Sequence, residues 1–152
     1  MDSTARILIV DDDESIRKVL TAILDEEGYV VETAESGREA IRKSNEQFYN
    51  LALIDIRLPD MQGTQLLASI RDSVPKMVKI IVTGYPSLQN AIEAVNSGAD
   101  AYILKPFNVD KTLSIIREHL KKQREEEKYS QEKVTEFIEA RAREIEAKTR
   151  RK

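Results

Sequence analysis

Apolar residues along this chain follow two alternating rhythms. Arg6 to Val10, Leu51 to Ile54, Val78 to Val82 and Ala101 to Leu104 are short runs without strict alternation, as strands covered on both faces of a parallel sheet require. Tyr29 to Thr33 is read as a further strand. Between these runs the spacing becomes helical. Ile16, Val19, Leu20, Ile23 and Leu24 follow Asp13, a good N-cap, and stop at Gly28. Ser36 to about Gln47 predicts a second helix with a weak stripe around Ala40 and Ile41. Leu66, Leu67 and Ile70 predict a third, stopped before Pro75. Pro86 and Ser87 open a fourth, whose stripe of Leu88, Ile92 and Val95 ends at Gly98. From Asp110, Leu113, Ile116 and Leu120 give a fifth its buried face. Strands and helices that alternate through short loops predict an α/β domain, a parallel sheet covered on both sides.

Beyond Leu120 the pattern changes to KKQREEEKYSQEKVTEFIEARAREIEAKTRRK, free of glycine and proline and rich in helix formers. Glu139 with Arg143, Glu144 with Lys148 and Glu146 with Arg150 fall at the favourable four-residue spacing. Residues 1–121 therefore form the domain and 122–152 a charged helical tail or linker. Val134, Phe137, Ile138, Ala142 and Ile145 make a short apolar stripe on it. Either the tail is an exposed continuation of the fifth helix, or the stripe binds a second copy or a partner.

A length of 152 residues suits one domain with a short appendage. Cysteine is absent, which excludes disulfides, thiolate catalysis and cysteine-based zinc sites. No apolar run reaches the roughly 20 residues of a membrane span, and the N-terminus lacks the basic-then-apolar order of a signal peptide. A cytoplasmic location without membrane contact is the expectation. The net charge of −3 hides an asymmetry: Lys121 onward carries 11 basic and 8 acidic residues, leaving 13 and 19 in the remainder. The mixed charge of the tail is a poor match to a DNA-binding segment, so direct nucleic-acid contact is not expected.

The candidate chemistry lies where strands end. Leu51 to Ile54 delivers Asp55 into a loop marked by Pro59 and Gly63; the first strand stops at Asp11-Asp12, the fourth at Thr83-Gly84 and the fifth at Lys105-Pro106. In an open α/β sheet these ends converge on one crevice. Three carboxylates placed together repel one another unless a cation compensates them, and all-oxygen donors favour Mg²⁺ or Mn²⁺. A calcium-binding EF-hand loop is disfavoured, because Asp11 to Glu14 is contiguous and runs into a helix. Asp13 and Glu14 read as cap and first-turn residues. With the metal, the Lys105 ammonium and the Thr83 hydroxyl could surround a phosphoryl group transferred to Asp55, and Gly84 leaves room for it.

These residues resemble the receiver domain of two-component response regulators over roughly Arg6 to Lys121. Asp11 and Asp12 match the acidic pair, Asp55 with Pro59 and Gly63 the phosphoacceptor and its loop, Thr83 and Tyr102 the switch residues, and Lys105-Pro106 the lysine with its usually cis proline. The resemblance implies a doubly wound, flavodoxin-like sheet in the order 2-1-3-4-5, with the C-terminal helix as an extension. It implies Mg²⁺ (or Mn²⁺) held by Asp12, Asp55 and the backbone carbonyl of Arg57, with Asp11 acting through water. A sensor histidine kinase or small acyl phosphate is the implied donor. A homodimer through the fourth helix to fifth helix face, or through the C-terminal helix, is an implied output. Arg57 and Tyr85 occupy positions that tune phosphoryl loss, and both are large, which implies slow autodephosphorylation. His119 is read as an ordinary helix histidine and not a relay site. An aspartyl-nucleophile phosphatase is disfavoured, because Arg57 stands where such enzymes carry a second acid. The chain is read either as a single-domain regulator or as the receiver part of a larger one.

Overall fold

The computed structural model describes residues 4–71 and 73–150. Five strands alternate with five helices: β1 (Arg6–Val10), α1 (Glu14–Glu26), β2 (Val30–Ala34), α2 (Gly37–Glu46), β3 (Leu51–Asp55), α3 (Gly63–Ser69), β4 (Val78–Thr83), α4 (Leu88–Asn96), β5 (Ala101–Leu104) and α5 (Val109–Arg150). The sheet is parallel throughout, in the order β2-β1-β3-β4-β5.

The missing apolar alternation in the strands is explained by two cores, one on each face of the sheet. Leu8, Val10, Ala52, Ile54 and Ile81 share a cluster with Ala40 of α2, Leu66 and Leu67 of α3 and Ala94 of α4. Ile7, Ile9, Leu51, Leu53, Ile80 and Val82 face Leu20 and Leu24 of α1 and Leu113, Ile116 and Leu120 of α5. Each fully buried Leu or Ile contributes about 1.5–3 kcal/mol relative to exposure, which makes the central strands the stable frame for the loops above them.

Helix starts follow the capping chemistry. Asp13 accepts from the backbone N–H of Ser15 and Ile16, Ser36 from Glu39 and Ser87 from Asn90. Gly28 and Gly98 adopt φ of 91° and 100° directly after α1 and α4, the left-handed turn that glycine makes cheaply. Three local expectations shift. β2 begins one residue later than its apolar run, and α3 ends at Ser69 because Ile70 turns to extended backbone. On α4 the stripe of Leu88, Ile92 and Val95 faces outward at 79%, 47% and 69% exposure, while the small Ala94 packs inward.

α5 runs without interruption for 42 residues. Gln123 is its last buried residue and lies at the N-terminal end of the sheet. There the Gln123 amide donates to the carbonyls of Asn50 (2.9 Å) and Lys76 (2.8 Å) and accepts from the Asn50 side chain (3.1 Å). Asn50 in turn accepts from the Arg6 amide through Oδ1 at 2.9 Å. The face of α5 that covers the sheet continues outward as Val134, Phe137, Ile138 and Ile145, all more than half exposed. Among the described residues no helix is long and apolar enough to cross a membrane.

Candidate functional site

The C-terminal strand ends gather the residues singled out above. Asp11 follows β1 and is held on every side. Its N–H donates to the Ala34 carbonyl (3.1 Å), Oδ1 accepts from the Asp13 amide (2.9 Å) and Oδ2 accepts from Lys105 Nζ (2.8 Å). Asp55, the last residue of β3, is buried, and its Oδ2 lies 3.7 Å from the same ammonium. Asp12 is exposed. Carboxylate oxygens of Asp11, Asp12 and Asp55 lie within 4.8 Å of one another.

Lys105 reaches the trio because β5 is pinned beside β4, its backbone N–H donating to the Thr83 carbonyl at 2.8 Å. The Lys105–Pro106 bond is cis. Thr83 is fully buried, and its hydroxyl accepts from the Tyr85 amide at 2.9 Å. A methyl at Gly84 would rest in ordinary contact with the Lys105 stem. Tyr102 packs its ring against the core with its hydroxyl enclosed. Burial pushes the Tyr102 phenol up, and the neighbouring backbone of Ser87 eases this. The Arg57 guanidinium stacks over the Tyr85 ring, 3.8 Å from its centroid.

The loop after Asp55 is folded tightly. Leu58 N–H donates to the Met61 carbonyl (3.1 Å), Gly63 N–H to the Ile56 carbonyl (2.7 Å), and Arg57 bridges Gln62. Gly63 is obligatory here, since a Cβ would lie 2.9 Å from the Ile56 Cα and closer still to the Asp55 carbonyl oxygen.

Charge in the crevice does not balance: three carboxylates face one ammonium. Burial, then the charge of Asp11, pushes the Asp55 carboxyl above its ordinary range against the opposing pull of Lys105. Burial works against the Lys105 charge, but the Asp11 hydrogen bond and the charges of Asp55 and Asp11 outweigh it and raise the ammonium above its usual value. Two of the three acids are buried, all donors are oxygen, and the compensation is incomplete, so the set fits a hard divalent cation.

His119 sits elsewhere. It is half-buried on α5, with Nδ1 donating to the Ile115 carbonyl at 2.9 Å, beside Lys76 and Asp100 at the opposite end of the sheet. Sequence reasoning passed over Arg17, Glu35 and Asp60, which brace the loops of the site. Their only sequence signal is proximity to the acidic residues, and polar residues there are ordinary.

A parallel sheet that brings such a trio and one lysine to its switch-point crevice has the make-up of a phosphoacceptor signalling domain. The profile of the response regulator receiver domain matches residues 7–117. The transcriptional regulatory protein ZraR of Klebsiella oxytoca is 40% identical over 114 residues, 75% of this chain and 26% of that protein. The DNA-binding transcriptional regulator NtrC of Proteus hauseri is 36% identical over 120 residues, 79% of this chain and 25% of that protein. The chain thus matches about a quarter of the length of these relatives. Among solved structures, a CheY-like receiver domain protein from Methanospirillum hungatei JF-1 is 50% identical, with a TM-score of 0.78 over 82% of this chain and 99% of that one. The beryllofluoride-activated NtrC4 receiver domain dimer is 38% identical, with a TM-score of 0.72 over 78% of this chain and 98% of that one. The chain belongs to the response regulator receiver family of two-component signalling.

Proposed function

We propose that Asp55 accepts the phosphoryl group from a sensor histidine kinase, or from a small acyl phosphate, in the cytoplasm. The observation that carries this is Asp55 buried at the end of β3, with Asp11 and Asp12 oxygens within 4.8 Å and Lys105 Nζ at 3.7 Å. In transfer from phosphohistidine, the P–N bond breaks as a P–O bond forms to an Asp55 carboxylate oxygen, and the imidazole takes up a proton. Little covalent chemistry falls to the protein, so alignment and charge neutralisation dominate. The chemistry that Mg²⁺ or Mn²⁺ supplies when bound is neutralisation of the carboxylate and phosphoryl oxygens, with Asp11, Asp12, Asp55 and the Arg57 carbonyl as its holders. Lys105 offers its ammonium to a phosphoryl oxygen. The Thr83 hydroxyl, which accepts from the Tyr85 amide, turns its own hydrogen toward another such oxygen, and Tyr102 fills the space beneath. The Arg57–Tyr85 stack covers the site and slows hydrolysis.

Residues 1–121 form the phosphoacceptor unit and 122–152 the helical extension, within a single-domain or a larger regulator. Output through self-association, with no direct contact to nucleic acid or membrane, is supported by two exposed apolar surfaces. One is Leu88, Ile92 and Val95 of α4 with Leu104 of β5; the other is Val134, Phe137, Ile138 and Ile145 of α5. The similarity to a solved activated receiver dimer favours this output.

The test is incubation with acetyl phosphate and Mg²⁺, followed by intact mass and light scattering. The mass should rise by one phosphoryl group, not in Asp55→Asn and not after chelation of the metal, and the molar mass in solution should double. The phosphoryl group should leave faster from an Arg57→Asn, Tyr85→Glu variant. Incorporation that survives in Asp55→Asn would sink the assignment.

A further inference from the structure

The two loops that carry the acidic trio are both fastened to one short segment, the β2–α2 turn from Ala34 to Arg38. From the β1 side, Arg17 of α1 is nearly enclosed, its side chain 13% exposed, and its Nη1 donates to the Asp11 carbonyl at 2.8 Å. Its Nη2 reaches Glu35 at 3.2 Å. Beside this bridge, the Asp11 N–H donates to the Ala34 carbonyl. Both peptide groups of Asp11, and so the direction in which Asp12 leaves, are fixed against the turn.

From the β3 side, Asp60 reaches the start of α2. Its Oδ1 accepts from the Gly37 amide and its Oδ2 from the Arg38 amide, each at 2.9 Å, at the first turn of α2. The two amides hold the Asp60 carboxyl below its ordinary range, Arg38 contributing more than Gly37. Next to it the Met61 side chain lies on Gly37 so closely that any Cβ there would collide with the thioether. The turn itself is braced: the Glu35 amide donates to Glu39 at 3.1 Å, Glu39 pairs with Lys43, and Lys43 donates to the Thr33 carbonyl. That Glu35 amide is also the main reason the Glu39 carboxyl lies below its usual range.

We propose that the β2–α2 turn sets the spacing of the two metal-bearing loops, with Arg17 and Asp60 as positioning residues that act through the Asp11 peptide and the Asp55–Gly63 loop. This rests on the reading of Asp11, Asp12 and Asp55 as holders of a divalent ion. Neither residue joins the ligand set. Groups that orient metal ligands from outside the set typically change affinity by about tenfold or more when removed.

Charge and geometry make opposite predictions for Arg17, which allows the idea to fail. Removing a cation near an acidic cluster should tighten metal binding on electrostatic grounds, whereas loss of the bridge should weaken it. Binding of Mn²⁺ to the whole chain would be followed by the electron paramagnetic resonance signal of the free ion, at a temperature where circular dichroism shows each variant folded. Arg17→Met should bind on the order of tenfold more weakly. Should Arg17→Met not fold, Arg17→Lys keeps the charge but cannot span Asp11 and Glu35, and the same weakening is expected. Asp60→Ala should weaken binding, while Asp60→Asn, which keeps one acceptor oxygen for the α2 amides, should stay within about twofold of the native chain. Equal or tighter binding by the Arg17 variants, or equal losses in Asp60→Ala and Asp60→Asn, would overturn the proposal. A native chain that fails to bind Mn²⁺ removes the metal reading and this inference together. A native chain that binds Mn²⁺ beside unaffected variants removes only this inference.

Discussion

The two ends of the sheet bury polar side chains under opposite rules. At the C-terminal end, Asp11 and Asp55 share one ammonium between them, with a third carboxylate within 4.8 Å, so charge is left over. At the N-terminal end, Asn50 and Gln123 are neutral; both Gln123 amide hydrogens are donated and its oxygen accepts. A closed amide network of this kind stabilises the fold and offers nothing to a ligand. Incompletely balanced charge held by a rigid frame has the reverse property: it costs stability until something binds. Burial of polar atoms therefore does not mark a functional site by itself; a converging cluster of like charges without full compensation is the stronger pointer.

Three substitutions test how firmly that contrast holds. The largest effect is expected from Gly63→Ala, whose Cβ would press on the Asp55 carbonyl and the Ile56 Cα. Both neighbours are backbone and cannot step aside, so a loss of about 3 kcal/mol in urea denaturation is expected. A change within error would mean that the loop under Asp55 is softer than its hydrogen bonds suggest.

Next comes Gln123→Met, similar in volume but without donors. It strands the Lys76 carbonyl and the Asn50 amide group, for a loss of about 2 kcal/mol. Phosphorylation of Asp55 should proceed as in the native chain. Impaired phosphoryl uptake would show that the two ends are coupled and the contrast too simple.

The smallest effect, opposite in sign, is expected from Asp55→Asn. The Asp55 carboxyl is raised in the folded state, first by burial and then by Asp11. The favourable protonated form is therefore fully present below the unfolded carboxylate pKa, and its contribution fades as pH rises through the higher folded value. Without metal at neutral pH, Asp55→Asn should melt above the native chain; toward acid the two curves should converge, and Mg²⁺ should stabilise only the native chain. A variant that melts lower at neutral pH would show that Lys105 already compensates the ionised carboxylate.

Much of this was legible in the sequence because both sheet faces are covered. Strands such as Ile7–Val10 and Leu51–Ile54 lose their alternation for that reason, and polar residues directly after them identify the ends that meet in the crevice. The outward stripe on α4 was legible as a period but not as a direction, since spacing alone does not say which side of a helix meets the sheet. Gln123 and Asn50 were silent: they are 73 residues apart, and nothing local in a helical glutamine announces a partner at that distance. Arg17 and Asp60 escaped for a related reason. An arginine in the first turns of α1 and an aspartate in a proline-marked loop are ordinary surface residues until the β2–α2 turn is brought between them.

The length of α5 has a mechanical consequence. The helix is clamped at Gln123, its last buried residue, and continues unbroken to Arg150 with largely exposed side chains. At a rise of about 1.5 Å per residue, this outer part is a lever arm of about 40 Å. A tilt of about 5° at the clamp would carry its far end through roughly 3.5 Å, about the width of one atomic contact. Displacements too small to register within the domain are thus magnified at the tip.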